Sequence, residues 1–124
     1  MTRRKLGNVS ATFDQACQIA LRLPGVEAAT SYGTPSLKVK GRFMARLREP
    51  DVMVLTPVDD IEQQFLMETR PQTYFTTDHY RGYPAILIRL STVPAADLRD
   101  LIENAWRRLA PKKLLAMYDA GVDR

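Results

Sequence analysis

"LKVKGRFMARLR", residues 37–48, decides the fold. Polar and apolar residues alternate through it, the period-two pattern of strands with one buried face. The odd positions are Leu37, Val39, Gly41, Phe43, Ala45 and Leu47, all apolar. The even positions are Lys38, Lys40, Arg42, Met44, Arg46 and Arg48, all basic but for Met44. Gly41 near the middle reads as the turn of a hairpin. Facing residues of a hairpin share a face, so a two-residue loop would pair odd positions with even ones and turn arginines inward. A loop with an odd number of residues keeps the apolar set together, and Gly41 suits the left-handed position of a three-residue loop. That register places Lys38, Lys40, Arg42, Arg46 and Arg48 on one face with no acid among them. Such a face could hold a phosphate backbone without reading sequence. The plainer alternative is a solvated surface, since lysine on edge strands protects against aggregation.

Outward from the hairpin, strands are expected near Ala28–Tyr32, Ser36–Lys40, Arg42–Arg48 and Val52–Thr56. Thr12 and Gln15 have capping-box spacing, and Phe13, Ala16, Cys17, Ala20 and Leu21 form one stripe of a helix over Thr12–Leu23. "DDIEQQFLMETR" reads as a helix from Asp59, stopped by Pro71. "TYFTTD" and "PAILIRL" read as two more strands, the second apolar on both faces. From Pro94 onward Leu98, Leu101, Ile102, Ala105, Trp106 and Leu109 make the strongest amphipathic pattern in the chain. Pro111 breaks it and starts a last short helix closed by Gly121. The order α-β-β-β-β-α-β-β-α-α implies an α+β fold. It has two layers, an antiparallel sheet packed on one face by three to four helices.

The 124 residues are expected to form one domain, 1–124, with residues 1–9 as a mobile arm carrying Arg3, Arg4 and Lys5. The composition, 45% hydrophobic and 26% charged, is that of a globular protein. No apolar run reaches membrane-helix length, and the basic start has no apolar segment behind it. A cytoplasmic protein without membrane association is expected, monomeric rather than assembled. One cysteine, Cys17, forbids an internal disulfide, and one Cys with one His cannot build a four-ligand zinc site, so no metal and no cofactor are expected. Cys17 lies in the apolar stripe and reads as a small buried residue rather than a nucleophile. The net charge of +4 favours an anionic partner, DNA or another polyanion.

Two further sites stand out. Lys112 and Lys113 fall in the first turn of the last helix, where they oppose the macrodipole unless an anion joins them. "TDHYRGYPAILIRL", residues 77–90, holds the only histidine, His79, beside Asp78, Tyr80 and Tyr83. With Tyr32 these residues could line a small-ligand pocket, or they could brace a strand entrance. A general-base role for His79 needs an oriented partner such as Asp78. No P-loop and no G-x-S-x-G is present, and no catalytic set is identified.

"LPGVEAATSYGTPSLKVKGRFMARL", "TDHYRGYPAILIRL" and "AWRRLAPKKLL" together resemble the MmcQ/YjbR family of small bacterial proteins. The likeness runs from about Thr12 to Leu115. It implies a compact α+β fold like that of the secretion chaperones, and the DNA-binding label the family often carries. Ser36 and Leu37 stand where members often have an aromatic residue after the Gly–x–Pro turn. The function expected is non-enzymatic nucleic-acid binding by the basic hairpin, with Lys112 and Lys113 as a further anchor. The alternatives are a protein- or peptide-binding adaptor and a small-ligand-binding domain.

Overall fold

Thr12 caps the first helix, α1 (Phe13–Leu21). Its hydroxyl accepts the Gln15 N–H at 3.2 Å, and the Gln15 side chain accepts the Thr12 N–H at 3.0 Å. This reciprocal cap satisfies two of the donors that a helix start leaves open. The computed structural model describes residues 11–121; the expected arm over residues 1–9 lies outside them.

Six strands follow in one sheet: β1 (Val26–Ser31), β2 (Thr34–Val39), β3 (Arg42–Glu49), β4 (Val52–Leu55), β5 (Tyr74–Phe75) and β6 (Ile86–Arg89). Their spatial order is β1-β2-β3-β4-β6-β5, and each neighbouring pair is antiparallel. The remaining helices are α2 (Asp60–Thr69), α3 (Ala95–Leu109) and α4 (Lys112–Asp119), and a single 3-10 turn spans Asp78–Tyr80. The fold class and element order are those the sequence implies.

The helices cover one face of the sheet. Leu37, Val39, Met53, Leu55, Ile86 and Ile88 meet Phe13, Ala16, Leu98, Ile102 and Trp106 in one core. Trp106 is fully buried, and its indole N–H donates to the Pro24 carbonyl at 2.8 Å. No α-helix among the described residues covers the opposite face. There Val52, Val54, Ala85 and Leu87 form a second, smaller apolar cluster with Phe75 and Tyr80 against it. Strands β4 and β6 are apolar at every position but Arg89, so both of their faces need cover. The segment between β5 and β6 supplies it by folding back over the sheet.

The central hairpin departs from its expected register. Its turn has two residues, Lys40 and Gly41, with φ of +49° and +84°, and Val39 pairs with Arg42. The three-residue loop is therefore incorrect. Positive φ at both central residues gives the turn whose twist matches the strands. A β-bulge resolves the parity conflict: Lys38 pairs with Phe43, yet Leu37 pairs with Ala45, so Met44 is an extra residue in β3. Past the bulge, Ala45 is back on the helix face and Arg46 faces away.

The bulge also divides the basic set, which does not share one face. Arg42, opposite Val39, lies on the helix side and donates to the Leu109 carbonyl at 3.3 Å. Lys40 is in the turn. Arg48 sits where a second irregularity separates Leu47 from Glu49, and it pairs with Glu49 at 2.7 Å. Only Lys38 and Arg46 point to the open face.

Candidate functional site

A groove of about 940 Å³ lies on the helix-free face. Its floor is β2 and β3, with Lys38, Phe43 and Arg46, continued by Val54 of β4. One wall is the β1–β2 turn, Tyr32–Gly33, again a two-residue turn with positive φ at both positions, +54° and +77°. The other wall is the segment that crosses from β5 to β6, bearing His79, Tyr80 and Tyr83. The 3-10 turn at Asp78–Tyr80 is short and tight, and Tyr80 packs onto the open-face apolar cluster, which fixes this wall to the sheet.

Arg46 joins the two walls. Its guanidinium donates to the Tyr80 hydroxyl at 3.4 Å and to the Thr34 hydroxyl at 3.3 Å, and lies 5.1 Å from the centre of the Tyr32 ring. Both hydrogen bonds are long and both acceptors are neutral. Arg46 has no carboxylate partner within 4 Å among the described residues. Its five N–H groups in a planar fork thus keep free capacity for a bidentate anion. Lys38 is two positions along β2 from Ser36, the residue opposite Arg46, so both cations lie on the same stretch of floor.

Aromatic rings supply most of the remaining surface. Tyr80 stands edge-on to His79 at 4.8 Å and to Tyr83 at 6.2 Å. Tyr32 is 89% exposed and Tyr83 58%. Among the described residues no Asp or Glu lines the groove. Glu27 is the cross-strand neighbour of Lys38 but lies outside the lining, and Glu49 is held by Arg48.

The four residues expected to share a pocket, Tyr32, His79, Tyr80 and Tyr83, are brought together here, and Lys38 and Arg46 join them. Lys40, Arg42, Arg48, Lys112 and Lys113 do not line the groove. Lys112 and Lys113 are exposed at the start of α4, whose Leu114, Leu115 and Tyr118 pack toward the helix-side core. The stem of Lys40 and Leu114 both flank Gly25, so the hairpin turn leans toward α4, away from the groove. Asp78 is paired with Arg81 at 2.6 Å, so its carboxylate is not orienting His79. Phe43 and Thr34 were not anticipated. Strict alternation places Phe43 on the apolar odd face, and only the bulge shows that it lies beside Lys38 on the open one.

Elsewhere the chemistry is quiet. Cys17 is half-buried in α1, and desolvation followed by the nearby Asp14 pushes its thiol above the ordinary value. No group of three or more His, Cys, Asp or Glu side chains is placed to hold a metal ion among the described residues. No described helix is long and apolar enough to cross a membrane.

Fold and groove define a class: an α+β domain with helices on one face of a six-stranded antiparallel sheet and a basic, aromatic groove on the other. The chain belongs to the YjbR family, whose model matches residues 21–108. A crystal structure of a Deinococcus radiodurans protein with the DUF419 domain, the same family, matches the fold with a TM-score of 0.68 at 23% identity. That match covers 82% of this chain and 80% of the other. Uncharacterized proteins of Mycobacterium tuberculosis strain H37Rv and Mycobacterium bovis are each 38% identical over 71 residues, 57% of this chain. The chain spans about half the length of these curated relatives, 55%.

Proposed function

We propose that this chain is a non-enzymatic nucleic-acid-binding domain that receives phosphate in the open-face groove. One observation carries the reading: Arg46 is fixed between two tyrosines on a groove floor, with no carboxylate to neutralise it among the described residues. Lys38 adds a second charge beside it, and the overall charge of +4 favours the approach of a polyanion. Because the bulge divides the hairpin cations, the contact surface is this groove rather than a whole basic face. Phosphate contacts position the ligand and carry no base preference of their own.

The test is the fluorescence anisotropy of labelled DNA across a salt series. Two phosphate contacts predict a log–log slope of roughly −1.4 on a single strand and roughly −1.8 on a duplex. The double variant Lys38→Glu/Arg46→Glu should abolish the salt-sensitive component. Wild-type affinity in that variant, or no salt-sensitive binding by the native chain, would sink the reading.

A second reading, a small anionic ligand, is favoured by the groove volume, which is of the size of small-molecule sites. It predicts that a free nucleotide binds as tightly as an oligonucleotide. Affinity that climbs with oligonucleotide length excludes it.

A further inference from the structure

We infer that the nucleic acid this groove takes is single-stranded, with an unpaired base stacked on Tyr32. This rests on the nucleic-acid reading above and adds to it the state of the strand and the residue that selects it.

The first observation is the backbone of Tyr32. Its φ of +54° is a left-handed conformation at the first central position of a two-residue turn. Asparagine, aspartate or glycine ordinarily fills that position, because a bulky side chain is strained there. Tyrosine holds it here while leaving its ring 89% exposed, so core packing does not offset the strain. Among the described residues the Arg46 guanidinium is the group against that ring, 5.1 Å from its centre. Strain of this kind, at the rim of a groove, points to a use for the ring itself.

The second observation is the balance of rings to charges. The groove presents Tyr32, Phe43, His79, Tyr80 and Tyr83 against two permanent cations, Lys38 and Arg46. A duplex shows its phosphates outward and keeps its base faces stacked within, so it would leave those rings idle. Duplex binding without sequence preference also draws on more phosphate contacts than two side chains supply. A single strand exposes base faces and phosphates together. Aromatic side chains beside a basic track are the arrangement that binds it, through stacking that every base can make. Arg46 meets the phosphate while the ring it supports takes the adjoining base, with Tyr83 exposed on the opposite wall for a second.

The experiment compares three labelled probes across one salt series: a twelve-residue oligothymidylate, an abasic strand with the same number of phosphates, and a twelve-base-pair duplex. The thymidylate strand should bind roughly 10-fold more tightly than either of the others. Tyr32→Ala should remove most of that advantage, and Tyr32→Phe should keep it. Tyr32→Asn is the sharper variant, since asparagine suits the turn: thermal stability should hold or rise while the preference for bases is lost. Equal binding of the abasic strand or the duplex, with salt sensitivity intact, overturns the stacking inference and leaves the proposed function standing. Salt-insensitive or undetectable binding of all three probes removes both.

Discussion

On each face of the sheet a polar group is short of partners among the described residues, and two of these groups have opposite consequences. On the helix side the Tyr74 hydroxyl is buried without a hydrogen-bond partner among the described residues. Burial, and then the charge of Asp97, push its phenol up to about 12. On the open side Arg46 is held by two neutral hydroxyls and a ring, with its charge uncompensated. Tyr74 is buried at the base of the cleft between α2 and α3, so its unmet capacity costs stability. Arg46 borders a groove, so its unmet capacity is available to a ligand. The same deficit is a packing defect on one face and, under the proposed function, a binding feature on the other.

Substitutions that separate stability from binding test that contrast. The largest effect belongs to the helix-covered face. Trp106→Ala empties the centre of the core and strands the Pro24 carbonyl, and should cost about 3–5 kcal/mol in urea unfolding. The protein that remains folded should bind DNA with native affinity; a parallel loss of affinity would tie the faces together. Next comes Arg46→Glu. It should weaken single-strand binding by at least ~30-fold, about 2 kcal/mol, while the urea midpoint stays nearly unchanged. An Arg46 variant that unfolds instead would assign the residue to structure.

Tyr74→Phe should raise stability by up to about 1 kcal/mol and leave binding untouched. It also has a pH signature. Because the folded chain raises this phenol from its ordinary ~10 to about 12, the unfolded chain releases the proton first as pH rises. The contribution is complete below pH ~10 and is lost as pH climbs through about 12. Urea midpoints measured across that range should fall less in Tyr74→Phe than in the native protein. The smallest effect is expected of Lys112→Glu/Lys113→Glu. Acids suit a helix start, so stability should rise by about 0.3–0.5 kcal/mol. DNA affinity should fall far less by anisotropy than in Arg46→Glu, since neither lysine reaches the groove and only the long-range charge is lost; a loss matching that of Arg46→Glu would restore them as anchors.

What the sequence made legible was local. The Thr12–Gln15 cap, the stripe of α3 and the two-faced apolar strand β6 each follow from residues within one or two turns of one another. The groove residues Tyr32, His79, Tyr80 and Tyr83 were legible as a possible group because aromatic residues beside glycine turns are uncommon in plain loops. Their company was not legible. Arg46 and Tyr80 are 34 positions apart, and the β5–β6 segment must cross the sheet before they meet. The basic face failed for a different reason. Alternation predicts facing only while every residue of one strand opposes one residue of the other, and no residue type announces that Met44 breaks this rule.

That bulge also makes β3 tolerant of a change in length at one point. Without Met44, Phe43 would still oppose Lys38, and Ala45 would still follow opposite Leu37. The strand would close up, lose one buried side chain, and carry Arg46 on the same face as before. A deletion at Gly41 offers no such slack, since the turn has only two residues to spend. Met44 is therefore the place where this hairpin can be shortened by one residue without reassigning a side chain from groove to core. A Met44 deletion variant that folds and keeps its salt-sensitive DNA binding would show it.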